Sequence, residues 1–214
     1  ILGFAGLVGA GRTDVANVIF GIKQASSGCI RLDGKIVQIT SPQQAMNFNL
    51  AYVPEDRLQH GLVTDMNITK NITLPRLDDF SKFGWILSSK ERKDAFEISK
   101  QLEIKGNSIY QLTRELSGGN QQKVVLGKWL STNPHILILD EPTRGIDVGT
   151  KNSVHKLMSE LAAEGLAIIL ISSELPEILG MSDRIVVMRE GYMTGVFSRE
   201  EATQEKILTA ATED

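Results

Sequence analysis

The stretch Gly6-Leu7-Val8-Gly9-Ala10-Gly11-Arg12-Thr13 follows an apolar run at residues 1–5. It precedes residues 15–22, whose apolar side chains recur at helical spacing. Glycines between a strand and a helix allow consecutive backbone N–H groups to turn inward around an anion, and the helix start adds the positive end of its dipole. The stretch therefore predicts a phosphate-binding loop.

The loop departs from the usual phosphate-loop pattern at one position. That pattern is a glycine, four residues, a second glycine, a lysine and a serine or threonine. Gly6, Gly11 and Thr13 match it, but Arg12 occupies the lysine position. Arginine keeps the positive charge, yet its planar fork cannot place a compact ammonium between the terminal phosphates. We therefore expect phosphate binding to survive and phosphoryl-transfer geometry to suffer.

Two other interpretations of the loop are open. Gly9 and Gly11 fit the first two glycines of a dinucleotide-binding turn in a nicotinamide-dependent enzyme, with Asp33 about 20 residues further on to bind a ribose. Asp14 at the third glycine position argues against this, and so does the hairpin signal of Asp33-Gly34. The other alternative is a glycine-rich turn between a strand and a helix without any ligand.

Two carboxylates end a second apolar run. Residues 135–139 predict a buried strand that carries Asp140 and Glu141 to the carboxyl edge of the sheet, where ligands of α/β proteins bind. Asp140 can hold Mg²⁺ through its water shell, with Thr13 as the other protein ligand. Glu141 can accept a proton from an attacking water. A solvated strand end is the alternative, and an upstream phosphate loop argues against it.

The segment Leu116-Ser117-Gly118-Gly119-Asn120 opens a predicted helix, for which Ser117 is a natural N-cap. Two glycines entering a helix cost about 1 kcal/mol each relative to alanine. A capped helix start is the simplest interpretation, but it leaves the glycines unexplained. A backbone anion site would account for both of them.

The composition and the order of elements limit the fold class. The 214 residues are 42% hydrophobic and carry a net charge of −3, which excludes disorder and gives no reason to expect a nucleic-acid partner. Alternating strand and helix signals predict an α/β fold with a parallel sheet covered on both faces. We expect a nucleotide-binding core at residues 1–56 and 134–214. An inserted helical subdomain is expected at residues 57–133, with no strand between about residues 67 and 130.

These motifs together resemble a known family. The phosphate loop, the Leu116–Lys123 segment and the Leu139–Asp147 segment, in this order, are similar to ATP-binding cassette (ABC) transporter ATPases over essentially the whole chain. The similarity is closest to the C-terminal cassette of double-cassette sugar importers of the ribose and galactose type. The stretches typical of that half are Gly6–Thr13, Tyr52–Arg57 and Ile171–Glu177.

The resemblance implies a P-loop NTPase core, ATP and Mg²⁺ as ligands, and two cassettes stacked head to tail around two ATP molecules. It assigns to the chain's own ATP site Gly6, Gly9, Ala10, Gly11, Arg12, Thr13, Asp14, Glu55 and Ser173, with Asp140 and Glu141 as the Mg²⁺-binding and catalytic carboxylates and Thr13 as the second metal ligand. The signature segment, which would complete the partner cassette's site, is Ser117, Gly118, Gly119 and Asn120, and Asp147 would communicate across the interface.

Three positions depart from a fully competent cassette. Arg12 replaces lysine, Glu55 stands where the family has glutamine, and Ser173 stands where it has histidine. A carboxylate at Glu55 adds negative charge beside phosphate unless it is protonated or held by the metal. We therefore expect this site to bind ATP but to hydrolyse it poorly, while the signature segment completes the hydrolytic site of an N-terminal cassette.

The chain begins with Ile1, and we expect it to be a piece of a longer polypeptide whose adenine-stacking aromatic residue lies upstream. The isolated chain should then bind nucleotide weakly and show negligible ATPase activity. The resemblance implies as partners the N-terminal cassette of the same polypeptide, transmembrane permease subunits and, indirectly, a periplasmic or extracellular sugar-binding protein, with the chain at the cytoplasmic face of the membrane. The alternative is a soluble ABC ATPase of DNA repair or translation, but such proteins lack the Arg12-Thr13 and Val53-Pro54-Glu55 features.

Overall fold

The computed structural model describes residues 1–82 and 84–213, which form two compact units. The first unit contains Ile1–Tyr52, His135–Pro142 and the segment from Leu157 onward. The second contains Val53–Pro134 and Thr143–Lys156. Residues 143–156 thus cluster with the second unit, although the boundaries predicted from sequence assign them to the core.

The strands are numbered in chain order as β1 Leu2–Gly6, β2 Ile30–Leu32, β3 Lys35–Val37, β4 Leu50–Val53, β5 Ser81–Lys82, β6 Trp85–Ile86, β7 Ile136–Asp140, β8 Ala167–Ile171, β9 Arg184–Arg189 and β10 Tyr192–Ser198. The α-helices are α1 Arg12–Ile19, α2 Pro42–Asn47, α3 Ile68–Thr73, α4 Ser88–Gln101, α5 Gly118–Leu130, α6 Val148–Ala163, α7 Leu175–Met181 and α8 Gln204–Thr212. Short 3₁₀ or π segments cover Arg57–Gly61, Leu74–Phe80 and Thr113–Glu115.

A six-stranded sheet with the order β10-β9-β1-β8-β7-β4 forms the centre of the first unit. The strands β1, β7, β8 and β9 pair in parallel, and β10 is antiparallel to β9. Leu137, Ile138 and Leu139 are fully buried, as expected for a parallel strand covered on both faces. The predicted α/β class is confirmed.

The register of the sheet brings distant segments to one edge. Ile171, the last residue of β8, pairs with Phe4 on one side and with Asp140 on the other. The carboxyl ends of β1, β7 and β8 therefore lie side by side. The residues that follow these ends are the glycine loop, Glu141 and the Ser172-Ser173 pair, which is the arrangement expected for a ligand site in an α/β sheet.

The hairpin of β2 and β3 argues against the dinucleotide-binding interpretation of the glycine loop. These strands pair antiparallel, and Asp33 and Gly34 form the turn with φ values of 49° and 76°. Asp33 therefore lies in a hairpin turn and not at the end of a parallel strand. The dinucleotide interpretation loses the carboxylate that would bind its ribose.

The second unit is mainly helical. The helices α3, α4 and α5 pack together, and Ile68, Ile72 and Leu126 are buried between them. The prediction of no strand in this region is wrong at one place, because β5 and β6 form an antiparallel pair. Each has only two residues, too few to produce a readable alternation of apolar and polar side chains. Across residues 1–82 and 84–213, no helix combines the length and hydrophobicity needed to cross a membrane.

Candidate nucleotide-binding site

The glycine loop turns sharply between β1 and α1. The Ala10 N–H donates to the Leu7 carbonyl oxygen at 3.1 Å, and Gly9 and Gly11 adopt φ values of 85° and 92°. A Cβ atom on Gly9 would meet no atom within 4 Å. Gly11 caps α1, and no side chain of the described residues accepts a hydrogen bond at this helix start. The N–H groups of the first turn can therefore bind the oxygens of an anion.

Packing explains Gly6, the first glycine of the loop. A Cβ atom on Gly6 would lie 2.3 Å from the Met188 carbonyl oxygen of β9. The neighbouring turn supports the loop as well, because the Gly191 N–H donates to the Ala10 carbonyl oxygen at 3.0 Å. The sequence predicts phosphate binding at Gly6, but nothing in the local pattern of the loop indicates the support from Gly191.

The Asp14 side chain is engaged at the surface. Asp14 lies in the first turn of α1, where a carboxylate interacts favourably with the helix dipole. Its Oδ1 forms an ion pair with Lys23 Nζ at 2.5 Å. Asp14 can therefore offer its backbone N–H to a phosphate, while its carboxylate belongs to the pair with Lys23.

Asp140 is fully buried at the end of β7. The Tyr52 hydroxyl donates to its Oδ2 at 3.1 Å, and the Thr13 hydroxyl also bonds to the carboxylate. Burial raises the pKa of Asp140, while these two hydrogen bonds and the charge of Arg12 lower it. In return, burial and the nearby Asp140 charge raise the pKa of the Tyr52 hydroxyl.

The surroundings of Asp140 fit a magnesium ion. Its Oδ1 is buried, and within the described part of the chain this atom has no hydrogen-bond partner. Mg²⁺ takes oxygen ligands and keeps several waters, so an orphaned carboxylate oxygen beside the Thr13 hydroxyl suits it. The structure brings the predicted pair of Thr13 and Asp140 together. It adds Tyr52, which the buried run of β4 next to β7 could have indicated.

Both carboxylate oxygens of Glu141 already have partners. Oε1 lies 3.5 Å from Arg12 Nη2, and Oε2 accepts a hydrogen bond from the Ser173 hydroxyl at 3.1 Å. Burial raises the pKa of Glu141, while the Ser173 hydrogen bond and the Arg12 charge lower it. The residue adopts a φ of 48°, a sparsely populated region for a residue with a side chain. Two of the three departures from the family pattern thus contact the catalytic candidate.

Arg12 points into the protein. Its side chain is only 7% exposed, and Nη1 donates to the Ser172 carbonyl oxygen while Nη2 faces Glu141. Burial lowers the pKa of Arg12, and the charges of Glu141 and Asp140 raise it. A guanidinium engaged in this way cannot at the same time clamp a terminal phosphate as the family's lysine does.

The third departure, Glu55, belongs to the second unit and forms an ion pair with Arg144. The Arg144 guanidinium donates to Glu55 Oε1. The negative charge at this position is therefore balanced by an arginine, so neither a proton nor a metal is required. The sequence analysis did not identify Arg144, because it lies 89 residues from Glu55 and no local pattern links the two.

The signature segment is capped as predicted. The Ser117 hydroxyl accepts hydrogen bonds from the Asn120 backbone N–H at 3.4 Å and from the Asn120 side-chain amide at 3.0 Å. Asn120 Oδ1 in turn accepts from the Lys105 N–H at 2.7 Å. The Asn120 side chain is thus committed within the second unit, whereas Ser117 lies at the exposed start of α5.

Both glycines of the signature segment have close neighbours. A Cβ atom added to Gly118 would lie 2.8 Å from Arg57 Nη2. A Cβ atom added to Gly119 would lie 2.4 Å from Thr150 Oγ1. Asp147 holds Thr150 by accepting from its backbone N–H at 3.0 Å and from its hydroxyl at 2.7 Å, which lowers the pKa of Asp147. The sequence analysis explained the glycines by an anion site. Thr150 is sufficient to explain Gly119, whereas the neighbour of Gly118 is the flexible end of Arg57, and the anion site stays a prediction.

Comparison with known proteins connects these features. A family model described as ABC transporter matches residues 1–144. The ribose import ATP-binding protein of Rhodococcus jostii is 52% identical over 212 residues, and the xylose import ATP-binding protein of Geobacillus kaustophilus is 53% identical over 213 residues. Each alignment covers 99% of this chain and 42% of the relative, so the chain spans less than half of these proteins.

Solved structures agree on the fold. An ATP-binding cassette of an ABC transporter in its ADP conformation matches 100% of this chain and 88% of its own length, with a TM-score of 0.82 and 21% identity. A dimeric cassette in a post-hydrolysis state bound to ADP and Pi matches 93% of this chain and 85% of its own length, with a TM-score of 0.78 and 21% identity. The predicted P-loop ABC ATPase fold is confirmed.

Proposed function

Because the chain belongs to the ABC transporter family, we propose that it is the C-terminal ATP-binding cassette of a two-cassette protein that powers sugar import. The import proteins for ribose and xylose, at 52% and 53% identity, support this function. In those relatives, more than half of the length lies outside the match, which leaves room for a second cassette. The stretches Gly6–Thr13, Tyr52–Arg57 and Ile171–Glu177 favour the C-terminal position.

The occupied carboxylate of Glu141 is the observation that carries the proposal of a weak own site. A general base takes a proton from the attacking water, and contacts that stabilise its ionised form make it a weaker base. Here Arg12 and Ser173 engage Oε1 and Oε2 separately. Arg12 is also withdrawn from the loop by its bond to the Ser172 carbonyl. We therefore infer that this site binds ATP and contributes little hydrolysis.

Binding and hydrolysis are assigned to different residues of the chain. The backbone N–H groups of the glycine loop would hold the phosphates, and Thr13 and Asp140 would hold Mg²⁺. When bound, Mg²⁺ neutralises charge on the phosphate oxygens. Ser117 and the backbone of the signature segment would contact the γ-phosphate of the partner cassette's ATP. Asp147 would lie at the same interface, where its bonds to Thr150 fix its orientation.

Sugar import also requires partners that the chain itself does not contain. Closure of two cassettes around ATP would drive permease subunits between two conformations, because ATP binds more tightly to the closed state. The chain would then work at the cytoplasmic face of the membrane as a peripheral subunit. An extracellular or periplasmic binding protein would deliver the sugar to the permease.

Single-turnover hydrolysis by the full-length protein tests this division. Replacing Ser117 by arginine puts a bulky cation where the partner's phosphate must dock, and we expect hydrolysis to fall by a factor on the order of 10² or more. Arg12→Ala should retain most of the hydrolysis, because the site it alters is not the hydrolytic one. If Arg12→Ala abolished hydrolysis while Ser117→Arg preserved it, the proposed roles of the two regions would be reversed.

A further inference from the structure

Arg57 contacts two other parts of the second unit. Its Nη1 donates to the Arg144 carbonyl oxygen at 3.1 Å, and its Nε donates to Gln121 Oε1 of the signature helix at 3.4 Å. Its Nη2 lies where a Cβ atom on Gly118 would approach within 2.8 Å. One guanidinium thus touches the start of α5 and the turn that follows Thr143.

Arg144 is held at both its main chain and its side chain. Its carbonyl oxygen accepts from Arg57, and its guanidinium binds the Glu55 carboxylate. Glu55 and Arg57 are only two residues apart, so one short segment binds Arg144 at both its side chain and its main chain. The next residue, Gly145, has a φ of 69°, and its carbonyl oxygen lies 3.4 Å from the Cβ position of Gly118.

A second contact joins the segment after Thr143 to the start of α5. Thr150 lies next to the Cβ position of Gly119. Asp147 fixes Thr150 by accepting hydrogen bonds from the Thr150 backbone N–H and hydroxyl. The signature segment is therefore bordered by Arg57 at Gly118 and by Thr150 at Gly119. A side chain at position 119 would meet Thr150 directly, and a side chain at position 118 would require the Arg57 guanidinium to move.

We propose that Glu55, Arg57 and Arg144 form a positioning latch that sets the signature segment for hydrolysis of the partner cassette's ATP. The proposal rests on the function proposed above. In this proposal, the Glu55 carboxylate does not act on the chain's own nucleotide but orients Arg144. Arg57, which binds the Arg144 carbonyl oxygen, then positions Gly118. A displacement of about 1 Å at a reacting group can cost about 10²-fold in rate, so a small loss of register matters.

The exposure of the Glu55–Arg144 pair argues against a role of this ion pair in stability. The Glu55 and Arg144 side chains are 40% and 66% exposed, and ion pairs between such side chains add little to folding stability. The Arg114–Asp65 pair of the same unit, with an N–O distance of 2.5 Å, is similarly exposed, and its hydrogen bond involves neither Arg144 nor a residue of α5. It provides a matched control.

Restoring the residue that the family normally has gives a sharp test in the full-length transporter complex. Glu55→Gln replaces a charge-assisted bond to Arg144 by a neutral one, and we expect ATP turnover to fall about fivefold. Arg57→Ala should lower turnover by up to about 10²-fold, and Arg57→Lys should fall between, because a single ammonium cannot reproduce the fork. The exchange Glu55→Arg with Arg144→Glu should recover part of what either single change loses.

Three readouts separate positioning from structure. The latch predicts a lower kcat with an unchanged KM for ATP, an unchanged melting temperature, and turnover by Arg114→Ala equal to that of the unmodified protein. Faster turnover in Glu55→Gln, or an exchange variant slower than both single variants, would refute the latch. Ser117→Arg, measured alongside, tests the proposed function on which the latch rests. If Ser117→Arg loses turnover while the latch variants are unaffected, the latch alone is refuted. If Ser117→Arg keeps full turnover, the proposed function itself is refuted.

Discussion

The two candidate functional regions use their charged residues in opposite ways. In the first unit, Arg12 and Ser173 turn toward Glu141 and each contacts one oxygen of the carboxylate that hydrolysis would need. In the second unit, charged side chains surround the signature segment but leave the Ser117 end of α5 exposed. In both regions, the residues that depart from the family pattern form local contacts with charged neighbours. The Glu141 region, whose charged residues contact one another, is called the closed region. The signature segment, whose Ser117 end remains available to a partner, is called the open region.

The largest expected effect on stability is at the closed region. Arg12→Ala leaves Glu141 buried without its cation, and removing one member of a buried pair costs about 3 kcal/mol. Hydrogen exchange in the full-length protein, followed at the slowest amides of β7, measures this loss locally. Arg114→Ala, which breaks an exposed pair, should change exchange by less than about 1 kcal/mol. Equal effects of the two variants would show that the Arg12 pair is not structurally special.

The open region should respond to the smallest side chain that can be added. Gly119→Ala places a methyl group 2.4 Å from Thr150 Oγ1, and overpacking of this kind costs about 2 kcal/mol. Alanine is otherwise the better helix former, so Gly180→Ala in α7, where no atom lies within 4 Å, should be stabilising by up to about 1 kcal/mol. Exchange at α5 and α7 amides reports both. A stabilising Gly119→Ala would contradict the packing explanation.

The smallest expected effect is a shift in the pKa of Glu141. Burial raises the pKa of Glu141, and the Ser173 hydrogen bond opposes this by stabilising the ionised carboxylate. Ser173→Ala removes that bond, so the pKa of Glu141 should rise further. Carbon-13 NMR of labelled glutamate carboxyls measures the change, with the surface variant Ser153→Ala as control. A lower pKa in Ser173→Ala would mean that the hydroxyl does not donate to Glu141.

The sequence predicted the features that depend on local order. The glycine loop, the carboxylates after β7 and the Ser117 cap follow from short patterns, since each is defined by neighbours within a few residues. The Glu55–Arg144 pair and the contact of Arg57 with Gly118 join segments far apart in the chain, and spacing carries no information about them. The same limit applies to the signature glycines, whose neighbours Arg57 and Thr150 become visible only once the chain is folded.

Counting the nucleotides that remain after one catalytic cycle tests the central claim most directly. The full-length protein would be loaded with labelled ATP and Mg²⁺ at both sites, allowed a single turnover, quenched and separated. If the signature segment completes a hydrolytic site in the partner cassette and Glu141 does not activate water in this chain's own site, one ADP should form for each ATP retained. Two ADP per polypeptide, with no ATP left, would mean that Glu141 activates water despite Arg12 and Ser173, and would contradict the division between the two regions.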